Sequence, residues 1–174
     1  MKKLIFCSML SAALVLPLSV SAQSTTPEQR IEKAGFVLPE ATKPIGNYVT
    51  WRLSGKTLYL SGHGACEGKS VLGKLGDTLN VKQGYEASQQ VGLCALATIK
   101  SAVGDLSKVK QVLKISGMVN ATSSFTDHPK VINGFSDMFV TAFGDDGKAA
   151  RAAVGMSSLP ANWAVEISAI VELK

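Results

Sequence analysis

The chain has 174 residues, 46% of them hydrophobic, with 18 Lys and Arg against 13 Asp and Glu and a formal charge of +5. That length bounds a single globular domain of ordinary size. The basic balance is a weak argument for nucleic acid, because outside the first few residues Lys and Arg form no run or stripe.

Residues 1–22 have a basic start (Lys2, Lys3), an apolar run from Leu4 to Leu18 and a small-residue ending, Val20-Ser21-Ala22, before Gln23. This is the pattern of a secretory signal peptide cleaved near Ala22, which predicts a periplasmic or secreted mature protein of residues 23–174. The run is broken by Pro17 and falls short of the roughly 20 apolar residues of a transmembrane helix. Cys7 lies inside it rather than at the cleavage point, against a lipid-anchored cysteine. No later segment reads as a span, so no membrane contact is expected after cleavage.

Losing Lys2 and Lys3 lowers the charge from +5 to +3. Cys66 and Cys94 survive processing, in a compartment where disulfides form. Spacing alone does not say whether the two are in reach, and a pair of small buried or half-buried thiols is favoured over a bridge. Neither C-x-x-C nor a His/Cys spacing is present, so no metal and no cofactor is expected.

Residues 23–47 form a tail and lead-in. Thr26 reads as the N-cap and Pro27 as the first position of a short helix ending near Gly35, followed by an irregular stretch from Pro39 to Gly46. From residue 48 the domain proper begins with a hairpin: Tyr48 to Leu53, a Ser54-Gly55 turn, then Thr57 to Ser61. The glycine-rich stretch from Gly62 to Lys82 matches neither a P-loop nor GxGxxG and reads as a flexible crossover. Val81 to Val103 is predicted as a long helix with Leu93, Leu96, Ile99 and Val103 on one stripe, Ala95 and Ala102 beside it, and Gly104 as its stop. Val109 to Val119 reads as a strand with Leu113, Ile115, Gly117 and Val119 inward and Lys110, Lys114 and Ser116 outward, running parallel to a partner after its helical crossover. A second helix starts near Asp127-His128-Pro129 and reaches Phe143, its Ile132, Phe135, Phe139 and Phe143 spaced for a core. His128 reads there as a surface or capping residue. Gly144 to Gly147 is a turn.

The last stretch, Ala149 to Val171, reads as two strands joined by a tight turn at Leu159-Pro160. Ala149, Arg151, Ala153 and Gly155 share one face of the first, and their small side chains leave the guanidinium uncovered. In the second, Val165, Ile167, Ala169 and Val171 are the apolar face, with Ala164, Glu166 and Ser168 opposite. Lone charges on otherwise well-patterned strands point to an edge, an interface or a site. The element order predicts an α+β fold, a two-layer mixed sheet with two main helices on one face. The other face, expected to carry Arg151, Glu166, Ser168, Thr57, Tyr59 and Ser61 with small neighbours, suits burial against another subunit.

Ordered motifs strengthen the picture: Ile45-Gly46-Asn47-Tyr48, Leu60-Ser61-Gly62-His63, Gly73-Lys74-Leu75-Gly76, Gly104-Asp105-Leu106, Val119-Asn120, Phe125, residues 129–137 (PKVINGFSD), residues 150–155 (ARAAVG), Leu159-Pro160 and Val165-Glu166-Ile167. In this order and spacing the mature chain, with its domain at 48–174, resembles the RidA/YjgF family, also labelled endoribonuclease L-PSP or chorismate-mutase-like, and within it the branch with ARxAVG and NGxSD signatures. The resemblance implies a homotrimer with a barrel-like core and ligand clefts between subunits. It implies that Arg151 binds the carboxylate of a small substrate and that Glu166 places a water that hydrolyses an enamine or imine to a 2-oxo acid and ammonia. Tyr48, Ser61 and His63 match positions near that cleft. Ala153 stands where active deaminases usually carry cysteine, and His63 where many relatives carry glutamine. A non-catalytic module binding a small anionic metabolite is the alternative, and RNA cleavage is disfavoured by the lack of a basic stripe with stacking aromatics.

Overall fold

The computed structural model describes residues 25–64, 66 and 70–174; the expected signal peptide lies outside the described residues. The chain runs α1 (Pro27–Lys33), β1 (Trp51–Ser54), β2 (Thr57–Leu60), α2 (Val81–Val103), β3 (Val109–Asn120), α3 (His128–Phe143), β4 (Ala150–Met156) and β5 (Val165–Leu173), with 3-10 turns at Leu106–Lys108, Gly144–Gly147 and Pro160–Asn162. The five strands form one mixed sheet in the order β1-β2-β5-β3-β4, in which β3 and β4 are parallel and the other neighbours antiparallel.

Local chemistry sets the helix bounds. Thr26 and Asn80 each accept from the amide three residues on and receive a return bond at their own N–H from Gln29 or Gln83, so α1 and α2 both open on a capping box. Gly104, at φ +85°, ends α2 in a conformation that a Cβ would strain. The core fills the space between the sheet and the two long helices, with Leu96, Ile99, Phe135, Phe139, Ile115, Ile167 and Val171 all fully buried. Gly134 lets α3 approach the α2 backbone at Tyr85 so closely that a Cβ would collide with the Tyr85 carbonyl oxygen.

Several expectations change. The first strand starts at Trp51, not Tyr48, since Tyr48 to Thr50 lies outside the ladder. In β3 the register shifts between Val109 and Gln111 and between Val112 and Lys114, so Val112 faces the core and Leu113 is exposed. A bulge inserts one residue and flips the strict alternation expected of the strand. β4 and β5 follow one another in sequence, but β3 lies between them. The stretch before α2 is anchored rather than loose: Leu75 is fully buried and its backbone pairs with Leu79 and Ala121. Finally, Cys66 and Cys94 are joined as a disulfide with Cα atoms 5.8 Å apart, which corrects the two-thiol reading. The stretch after β2 crosses α2 at its buried Cys94, a proximity across 28 residues that spacing does not reveal.

Candidate functional site

Arg151 lies on the edge strand β4, in register with Ile115 of β3. Ile115 is buried under the helices, so Arg151 shares the helix side of the sheet and not the open side expected for it. Its Nη1 donates to Asn133 Oδ1 at 2.8 Å and to Ser136 Oγ at 2.9 Å, both on α3. Asn133 and Ser136 are three apart and therefore share a helix face, as the 129–137 motif implies on inspection, but nothing in the sequence shows that this face meets β4. The guanidinium is exposed, and no carboxylate among the described residues pairs with it. It is thus a cation aimed by two neutral acceptors, with donors to spare for a planar oxyanion.

Glu166, on the central strand β5, is in register with Met118 on the open side of the sheet. Its carboxylate packs onto the backbone of Gly62, where a Cβ would strike Oε1. Partial burial raises its pKa above the usual carboxylate value. Ser61, next in the chain, donates its hydroxyl to Val49 O at 2.6 Å, while the exposed Tyr48 phenol receives the Ile45 amide at 3.4 Å. Glu166, Gly62, Ser61 and Tyr48 therefore gather along one end of the β2 hairpin, and Arg151 stands apart from them.

His63 is not poised for a ligand. It is 3% exposed, and its backbone pairs with Ile167 in both directions. Nδ1 lies 2.8 Å from Ser61 O and must donate to it, which leaves Nε2 to accept from Thr98 Oγ1 at 2.9 Å. Burial lowers its pKa, against a smaller upward pull from the Ser61 carbonyl, which favours the neutral ring. His63 thus ties the Ser61-Gly62 backbone to α2, and the Cys66–Cys94 bridge makes a second tie one turn earlier on that helix. Ala153 lies beyond Arg151 on the same face of β4, partly covered by the core. Among the described residues no group of three His, Cys, Asp or Glu is placed to hold a metal, and no helix is long and apolar enough to cross a membrane.

The chain and its fold have counterparts among known proteins. Residues 28–173 match the family described as "YjgF/chorismate mutase-like, putative endoribonuclease". The chain is 39% identical over 150 residues to protein TCP17 of Trypanosoma cruzi, covering 82% of this chain and 91% of that one. Among solved structures, Atu1372 of Agrobacterium tumefaciens is 42% identical with a TM-score of 0.79, covering 85% of this chain and 92% of that one. A Shewanella oneidensis MR-1 structure described in the same endoribonuclease terms is 34% identical, with a TM-score of 0.82 over 86% of this chain and all of its own. RidA from an Antarctic Psychrobacter is 27% identical with a TM-score of 0.51, covering 77% of this chain and 94% of that one. With an α+β fold of the same kind and a family match spanning nearly the whole described chain, this protein belongs to the YjgF/RidA family.

Proposed function

We propose that this protein hydrolyses a reactive enamine or imine of a small carboxylate to a 2-oxo acid and ammonia, in clefts shared between the chains of a homotrimer. The observation that carries this reading is the Arg151 guanidinium, exposed, aimed by Asn133 and Ser136, and without a carboxylate partner among the described residues. Such a fork grips a substrate carboxylate through paired charge-assisted hydrogen bonds that a lysine does not reproduce. The imine carbon is already electrophilic, so the remaining task is to orient it toward water. Glu166, with its raised pKa, takes a proton from that water as the oxygen adds to the C=N carbon. Glu166 returns that proton to the nitrogen of the tetrahedral adduct, the C–N bond breaks, the nitrogen leaves as ammonia with the proton that the adduct's hydroxyl gives up, and the carbon becomes the 2-oxo group.

Arg151 and Glu166 point to opposite sides of one chain's sheet, so a ligand that touches both sits between two copies. The open face supports the same assembly, because it presents Tyr59 and Val154 exposed beside half-buried Ser116, Met118, Ser168 and Ile170. The Cys66–Cys94 bridge supports export behind the proposed signal peptide. Ala153 favours a second reading, a binding module without turnover, since no thiol stands beside the anchor. Ammonia release from freshly generated 2-iminopropionate decides between them. Catalysis by the mature protein that Arg151→Ala abolishes supports the hydrolase; inactivity of both, with Arg151-dependent binding of pyruvate, supports the module.

A further inference from the structure

A cleft of about 450 Å³ opens where the end of β4 meets the start of α3. Its polar lining is Lys74, Thr122, Ser123, His128 and Ser157, and the apolar share includes Phe125. None of the lining residues is acidic. Asp127, the nearest carboxylate in sequence, is paired with Lys130 Nζ at 3.1 Å, which offsets its charge.

The basic groups are held in place. Lys74 reaches across to donate to the Ser157 carbonyl, and an ammonium with three donors keeps others for a ligand. His128 stands edge-on to Phe125 with ring centroids 5.3 Å apart, and its Nε2 occupies the space above Gly155 where a Cβ would otherwise sit. Gly155 is therefore what admits the imidazole to the cleft wall. The N-terminal end of α3 adds its partial positive charge on the same side.

We propose that this cleft binds an oxyanion, the carboxylate or phosphate of a small organic molecule, between Lys74 and His128. The Thr122 and Ser123 hydroxyls complete the donor set, and Phe125 and Met156 take the apolar part of the ligand. The site is distinct from Arg151, which precedes Gly155 by four residues on β4, about 13 Å along a strand. It stands whether or not Arg151 anchors a substrate.

Inorganic phosphate and benzoate, titrated separately into the mature protein while the His128 ring and the Ser123 and Ser157 amides are followed by NMR, test it. Saturable shifts at these three residues are expected with at least one probe, weakened about tenfold or more in Lys74→Met and in His128→Gln, consistent with loss of one hydrogen-bonded contact. They persist in Arg151→Ala. The tighter probe assigns the source, phosphate ester or apolar carboxylate. Shifts that fail to saturate with both, or affinities unchanged in Lys74→Met and His128→Gln, overturn the proposal. Loss of binding in Arg151→Ala overturns it too, because it places the anion at the other site.

Discussion

Arg151 and Glu166 lie two strands apart and on opposite sides of the same sheet. Arg151 is in register with Ile115, whose side chain enters the core, and Glu166 with Met118, which faces away from it. The period of two along β3 puts Ile115 and Met118 on different faces, so no rotamer change brings the guanidinium and the carboxylate of one chain together over a small ligand. This is why the proposed chemistry needs a second copy of the chain.

Gly62→Ala isolates the role of Glu166. The new methyl group displaces the carboxylate from its seat while leaving the core untouched. Deaminase activity is expected to fall at least about tenfold with the melting temperature nearly unchanged, as for a misplaced catalytic group. Activity assays beside thermal melts check this; wild-type activity in Gly62→Ala contradicts the water-placing role.

The pH profile is set by the same residue. As a base Glu166 works ionised, so activity rises with pH through a midpoint above the ordinary 4.5. Stability runs the other way. The folded chain holds this proton more tightly than the unfolded one, so the ionised group costs stability above that midpoint and the cost fades as pH falls toward 4.5. Wild-type kcat/KM is therefore expected to show that acid limb, and Glu166→Gln to be inactive at every pH and to raise the melting temperature at neutral pH relative to its effect near pH 4.

His63 and Thr98 form a buried pair whose removal is felt in stability. Thr98→Val leaves Nε2 of His63 without its donor and is expected to cost about 1–3 kcal/mol. The folded-state pKa of His63 lies below the ordinary 6.5, so the unfolded chain gains the proton first as pH drops, and wild-type stability declines below about that value. Urea titrations of wild type and His63→Gln across pH 5–7 are expected to differ in slope, with the variant flatter.

The disulfide is expected to stabilise by about 3–4 kcal/mol, the loop-closure value for a span near 28 residues. Thermal melts with and without reductant measure it. A Cys66→Ser, Cys94→Ala variant with the same melting temperature as oxidised wild type contradicts this value.

Both long helices were legible from residues alone, because a 3.6-residue apolar stripe states its own extent, with Gly104 as the stop of α2 and Asp127-His128-Pro129 as the start of α3. The α+β order and the parallel partner of β3 followed from those helices. What was hidden depends on contacts across the sheet. The face of Arg151 is decided by β3 packing alongside β4, Val112 and Leu113 exchange roles through a bulge, and His63 is buried by an α2 residue 35 positions away. Arg151 could be singled out from its motif as a candidate anchor, whereas Asn133 and Ser136, which hold its guanidinium, become visible only when α3 lies over β4.

The central claim, a cleft that takes Arg151 from one chain and Glu166 from another, is tested most directly by complementation. Arg151→Ala and Glu166→Gln proteins, each inactive alone, are unfolded together in equal amounts, refolded and assayed for ammonia release from 2-iminopropionate. Random mixing in a cyclic trimer restores both groups to about one cleft in four, so about a quarter of wild-type activity is expected. Mixed trimers confirmed by mass and yet without activity would place both residues in the same chain's site and contradict the account.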